Sequence, residues 1–324
     1  MTVAARALVV AVPDVSVLVA ARLVSAFAVP VYWLAFQASL ADVYGGDARK
    51  LAVVGSRIQA AMGLGYAIAS VVGGALASRD VRLAYGASSI LGCCVIACVS
   101  RFPETLPASR RRREGFDVRR GFQPFVFLNL FRRGQVFSKL NVVVLLQNLT
   151  NGMGDLWQVL ARELRNWGAA ACGRYAALVG VASMAGTLLT GPSIRRLGPR
   201  GHTCASTSAS VVSSVLLGRA TTDAAAYGAL VPIALGSGRS HATTARIVNL
   251  GTDLGVPQGQ LAAERTALNA VIKVIAPTLY AALFAFGAQR GVIALPFYVT
   301  ASLLAASVVL ASTIQYESSE STDN

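Results

Sequence analysis

An all-α, polytopic membrane protein is the fold class that this 324-residue sequence predicts. Three observations carry the prediction. Apolar residues make up 54% of the chain and charged residues 14%, with a mean hydropathy of +0.57, whereas a soluble domain carries roughly 25% charged residues. Apolar runs of about 20 residues recur from end to end, each long enough to cross ~30 Å of hydrocarbon as a helix, and a helix satisfies its own backbone polar groups in lipid. Between two such runs, Gly191-Pro192-Ser193-Ile194-Arg195-Arg196-Leu197-Gly198-Pro199-Arg200 sets three arginines in a tight glycine turn.

Taken in order, residues 3–12 form an apolar piece that Pro13-Asp14 interrupts before it can span, so it reads as the outer half of a helix. It leads directly into a further apolar run, which is not the pattern of a cleavable signal. Nine spanning helices follow, at 15–43, 51–78, 83–101, 138–161, 170–192, 203–219, 224–247, 261–288 and 291–314. Residues 102–137 divide them: Pro103, Pro107 and Pro124 break helices, and Arg110-Arg111-Arg112-Arg113 is a solvated charge run with affinity for anionic lipid. The partial helix and three spans thus occupy 1–101, six spans occupy 138–314, and residues 315–324 form an acidic, serine-rich tail that reads as disordered.

The net charge of +14 does not call for nucleic acid, because the basic residues gather in particular loops and no basic-aromatic domain stands apart from the apolar runs. With residues 102–137 placed in the cytoplasm, the lysines and arginines on that side outnumber those opposite, although that linker supplies most of the excess. This orientation puts the C-terminus in the cytoplasm. Cys93, Cys94 and Cys98 share one apolar run, while Cys172 and Cys204 stand alone. No Cys-x-x-Cys or Cys/His spacing links them, so neither a disulfide framework nor a metal site is expected, and no cofactor is implied.

Several stretches carry a family resemblance. The pattern Gly191-x-x-x-Arg195-Arg196-x-Gly198-x-Arg200 resembles the loop between the second and third helix of each half of major facilitator superfamily carriers. Ala41-Asp42 followed by Asp47-Ala48-Arg49-Lys50 is similar to the loop after that family's fourth helix, and Arg22 falls where these carriers keep an arginine within it. Gly63, Gly65, Gly73 and Gly74 resemble the packing glycines of the fifth helix of drug/proton antiporters. Phe102-Pro103-Glu104-Thr105-Leu106 is similar to the end of the sixth, and Gly259 with Asn269 to Phe286 and Pro277 to the eleventh. The tetracycline-antiporter-like branch fits most closely. The resemblance implies a two-half bundle with its site between the halves and alternating access by rocking. Two departures accompany it. Ala69 and Ser70 stand where the antiporter motif has Gly-Pro, which weakens proton antiport. The first two and a half helices, about 75 residues at ~20 per span, have no counterpart in the sequence.

Polar residues within the spans are the candidates for chemistry. Arg22 lies six to eight residues into an apolar helix, where a central arginine costs at least ~2.5–3.5 kcal/mol on insertion scales; it either faces a cavity or snorkels to the outer interface. Asn148, Asn151 and Asp155 fall on one helical stripe, with Gln147 and Gln158 flanking. Such a stripe lines water or holds a neighbouring helix. Lys273 sits about 18 Å from the cytoplasmic end of its helix at 1.5 Å per residue. Near the midplane its ammonium needs a carboxylate, for which Asp155 is the nearest intramembrane acid, or a water-filled cavity. Asp42, Arg49, Arg195, Arg196 and Arg200 lie at cytoplasmic helix ends and read as gate charges, with ordinary positive-inside charge as the alternative. His202 and His241 read as surface loop residues.

No nucleophile motif, phosphate loop or paired catalytic carboxylates appear, so neither an enzyme nor an ATP-driven pump is expected. The expected function is secondary transport of a small organic solute, with membrane lipids as surroundings and protons as a candidate coupling ion. The rival reading is a truncated, non-transporting membrane protein or partner subunit.

Overall fold

The computed structural model describes residues 1–44, 48–104 and 125–314, and every regular element among them is helical. The arginine run Arg110–Arg113, Asp47 and the acidic tail lie outside the described residues. By contacts the chain divides into two compact units, residues 1–117 with 168–177, and residues 118–167 with 178–324.

The first unit holds α1 (Thr2–Ala11), α2 (Val15–Tyr44), α3 (Ala48–Ala77) and α4 (Val81–Val99). Pro13 separates α1 from α2, and Asp14 starts the new helix by accepting the Ser16 backbone N–H at 3.1 Å. Asp80 does the same for α4, accepting the Arg82 N–H at 2.8 Å. α1 runs antiparallel along α4: Val3 meets Gly92, the Arg6 guanidinium donates to Ser88 Oγ at 2.8 Å, and Val10 meets Gly86. The apolar piece at 3–12 is therefore a packed helix, with its arginine satisfied by a serine hydroxyl. α3 carries its apolar stretch over Ala61–Ala77. There Gly74 lies against Gly173 and the Ala169 carbonyl, so close that an added Cβ would stand 2.8 Å from that oxygen.

The second unit begins with a 3₁₀ turn, Val126–Phe131, that leads into α5 (Gln135–Leu149). A second 3₁₀ turn, Thr150–Gly152, joins α5 to α6 (Met153–Arg165). α7 (Ala169–Arg219) continues in two arms, with its residues 169–177 belonging to the first unit, and α8 (Asp223–Gly228), α9 (Leu230–Gly236) and α10 (His241–Asp253) follow. Two long helices, α11 (Gln258–Gln289) and α12 (Leu295–Ser312), complete it. α5 packs against α10, α11 and α12. Their shared core includes Leu140, Val143, Ile247, Leu268 and Ile272.

Two of the nine predicted spans are interrupted in the structure. Among the described residues five helices have the length and composition to cross a membrane: Val15–Trp33, Val81–Val99, Ala169–Arg219, Gly259–Gln289 and Leu295–Ser312. The predicted span at 138–161 is interrupted at Thr150–Gly152, where the Thr150 hydroxyl donates to the Gln147 carbonyl at 2.6 Å. The predicted span at 224–247 is divided among α8, α9 and α10. Pro232 has no N–H for the Gly228 carbonyl, and α8 ends at that residue.

The arginine-bearing stretch 191–200 is also more helical than a loop. α7 continues through Leu197 and breaks only at Gly198 (φ 71°, ψ 169°), after which Pro199 starts the second arm. Gly198 supplies the left-handed backbone that an L side chain resists. The two spans predicted at 170–192 and 203–219 are these two arms.

Between those arms and residues 234–238 runs a seam of small residues. Gly186 meets the Ala234 carbonyl, Gly236 meets Ser210, and Gly238 meets Thr190. Ser206, Ser210 and Ser214 return their hydroxyls to carbonyls of their own helix and are buried. Small residues let backbones approach this closely in a membrane, where apolar area alone provides no drive between helices.

Candidate functional site

Polar residues gather where α5 turns into α6. The Thr150–Gly152 turn exists beside α11: a Cβ on Gly152 would lie 2.8 Å from the Ala276 carbonyl carbon. Only glycine allows that crossing. Directly next to it opens a cavity of about 410 Å³. Asn148, Asn151 and Gly152 line one wall, and Asn269, Ile272, Lys273, Ala276 and Pro277 line the other.

Its geometry follows from helical spacing. Asn269, Lys273 and Pro277 lie four residues apart on α11, hence on one stripe. Pro277 offers no N–H to the Lys273 carbonyl, so the backbone there is one donor short within the cavity wall. Asn148 Nδ2 donates to Asn269 Oδ1 at 3.1 Å across the two walls. Lys273 stands midway along the 32-residue α11 and is exposed. Next to Asn148 in the chain, Gln147 is buried and its Nε2 donates to Thr207 Oγ1 at 3.0 Å, so it ties α5 to α7 rather than lining the cavity.

Of the sequence-derived path residues, Asn148, Asn151 and Lys273 therefore share one cavity. Asp155 lies on α6, with its side chain outside the described residues. Arg22 is exposed on α2 in the other unit. The gate charges are described in part. Arg195 and Arg196 are exposed on the last turn before Gly198. Arg200, beyond it, donates to the Ser312 carbonyl at the end of α12, where a cation suits both the free carbonyl and the helix dipole. The side chains of Asp42 and Arg49 lie outside the described residues. Among the packing glycines, Gly74 makes the close approach described above, Gly65 and Gly73 have no neighbour within 4 Å of an added Cβ, and Gly63 is half-buried.

Sequence reasoning missed three features. Asn269 completes the cavity, and its place four residues before Lys273 on an apolar helix was the available signal. Glu264 is fully buried and takes a two-pronged bond from Arg133, with Gln260 Nε2 donating at 2.9 Å. Arg133 reads in sequence as one of many linker charges, and its partner is 131 residues away. His202 is buried, not a surface loop residue: its Nδ1 faces Ser193 Oγ at 2.9 Å and its Nε2 faces the Gly238 carbonyl at 3.2 Å. The carbonyl can only accept, so Nε2 carries a proton.

A helical chain with several membrane-length segments and a polar cavity midway along one of them narrows the choice of family. The family model of the Major Facilitator Superfamily matches residues 1–253. This chain belongs to the Major Facilitator Superfamily. No curated protein and no solved structure gave a significant match. Members of the superfamily are secondary transporters of small solutes, and this one is an integral, multi-pass membrane protein. Transport driven by gradients is the function that such membership supports, rather than catalysis.

Proposed function

We propose that this superfamily member carries a small organic solute by alternating access, and that the cavity bounded by Asn148, Asn151 and Lys273 lies on its path. The observation that carries the reading is the placement of three amides and an ammonium around one cavity at the middle of α11. An ammonium there is costly in hydrocarbon and tolerable in a watery route. The cavity's volume falls within the ~300–1,000 Å³ usual for small-molecule sites. Asp155 and Arg22 are the further path residues of this reading.

The basic helix ends supply the gate. Asp42, Arg49, Arg195 and Arg196 set the balance between inward-open and outward-open states, and Arg200 fixes the second arm of α7 to α12. Exposed ion pairs contribute ~0–1 kcal/mol each, and a few kcal/mol between states suffices to shift their populations. Among branches, the tetracycline-antiporter-like one has the most motif support, with protons as the candidate coupling ion.

The test is uptake by the purified chain in proteoliposomes, with and without a pH gradient, against a solute panel. Saturable uptake above empty vesicles supports the reading, and uptake indistinguishable from empty vesicles across the panel refutes it. Asp42→Arg is expected to change cysteine accessibility from the two sides of the membrane. An unaltered accessibility pattern removes Asp42 from the gate.

A further inference from the structure

We infer that the solute is an organic anion, bound through a carboxylate by Lys273 and the Asn269 amide; the inference rests on the cavity being part of the transport path. Four observations lead there. Lys273 lines the cavity from mid-helix, and among the described residues no carboxylate pairs with it. Glu264, the nearest acid along α11, is committed to Arg133 and lies nine residues away, about 13 Å along the axis at 1.5 Å per residue. The Asn148–Asn269 bond uses one lone pair of Asn269 Oδ1, and both amide protons of Asn269 remain to donate to a solute. Finally, Arg239 reaches Thr150 Oγ1 at 3.5 Å, adding a second cation behind the turn that forms the opposite wall.

A carboxylate needs N–H donors and a positive charge, and this cavity offers both. A cationic solute would meet like charge at Lys273. A neutral solute would gain nothing from the Lys273 charge, whereas a carboxylate gains a charge-assisted bond. The asparagine pair adds orientation: Asn148 holds Asn269 so that its amide protons share the stripe of Lys273, one turn away. Asn269 is thus a specificity-determining residue, acting with Lys273 on the same anionic group.

Three matched solute sets test this on the full chain in proteoliposomes: aryl and alkyl carboxylates, the corresponding amides, and the corresponding amines. The expected result is uptake confined to carboxylates. Lys273→Gln is expected to reduce it by about tenfold or more, the scale of a lost bond to a charged group, and Lys273→Arg to restore most of it. Asn269→Asp, isosteric but repelling a carboxylate, is expected to abolish carboxylate uptake. Size-exclusion profiles and thermal unfolding of each variant in detergent separate a lost site from a lost fold. Preference for amines, eliminated by Asp155→Asn, would overturn the inference while leaving transport intact, because Asp155 would then be the solute's counter-ion. Carboxylate uptake unaffected by both Lys273→Gln and Asn269→Asp would overturn it too. Failure to carry any member of the three sets would refute the transport reading along with it.

Discussion

In the first unit, α4 buries none of its residues and only 6% of the α2 span is buried, whereas 39% of α12 in the second unit is buried. In water such exposure of Leu23, Ile90, Leu91 and Ile96 would drive association. In lipid it costs little, because acyl chains are as apolar as leucine. What holds helices together there is close backbone approach and polar bonding. Among the described residues, such contacts in the first unit include Arg6 to Ser88, Val3 to Gly92, and Gly74 to Gly173. The second has many: a buried ion pair, a serine seam, the Gln147–Thr207 and Tyr280–Thr300 bonds, and an interdigitated core. The lesson is that hydropathy makes a span, while small and polar residues decide which spans become a rigid body able to hold a site.

Four substitutions sharpen that contrast. The largest effect is expected in the second unit from Glu264→Ala, which strands Arg133 and should cost about 3–5 kcal/mol; thermal unfolding in detergent measures it, and a shift within error would show that the pair is solvated. Next comes Gly152→Leu, where the Ala276 backbone leaves no room. Overpacking of this kind costs about 1–3 kcal/mol, and Asn148 and Asn269 should separate, which crosslinking of cysteines placed there would report.

Gly173→Leu is the counterpart in the first unit, since its Cβ would run into the Ser70 carbonyl and Gly74. A similar or smaller penalty, about 1 kcal/mol, is expected because few other contacts share the strain. A penalty larger than that of Gly152→Leu would reverse the comparison. The smallest effect has the opposite sign. Gly73→Ala meets open space and should stabilise α3 by about 0.5–1 kcal/mol through helix propensity, read as a rise in Tm.

Much of the helical layout was legible in the chain itself. Runs such as 261–288 and 291–314 correspond to α11 and α12 because their length and composition leave lipid-spanning helix as the one low-energy state. Gly198 with Pro199 was legible as a turn because glycine admits a left-handed backbone and proline fixes its φ. The interruptions were less so. Pro232 announces the break after Gly228, yet the 3₁₀ turn at Thr150–Gly152 depends on α11 passing beside it. Of the cavity, Asn148, Asn151 and Lys273 stood out as polar residues in apolar helices, while Asn269 was read as part of the family resemblance and not as a site residue, because one asparagine in a long helix carries no partner in its spelling. His202 looked like a loop residue for the same reason: its neighbours Ser193 and Gly238 are adjacent only after folding.

By itself, then, the amino-acid order determined the solvent, most of the helical layout and the family, since each depends on local composition and spacing. The tertiary structure alone decided which polar groups meet. Asn148 with Asn269, Arg133 with Glu264 and Gly152 with Ala276 are pairs more than 120 residues apart in the chain. Their energies come from distances of about 3 Å that no spacing rule encodes.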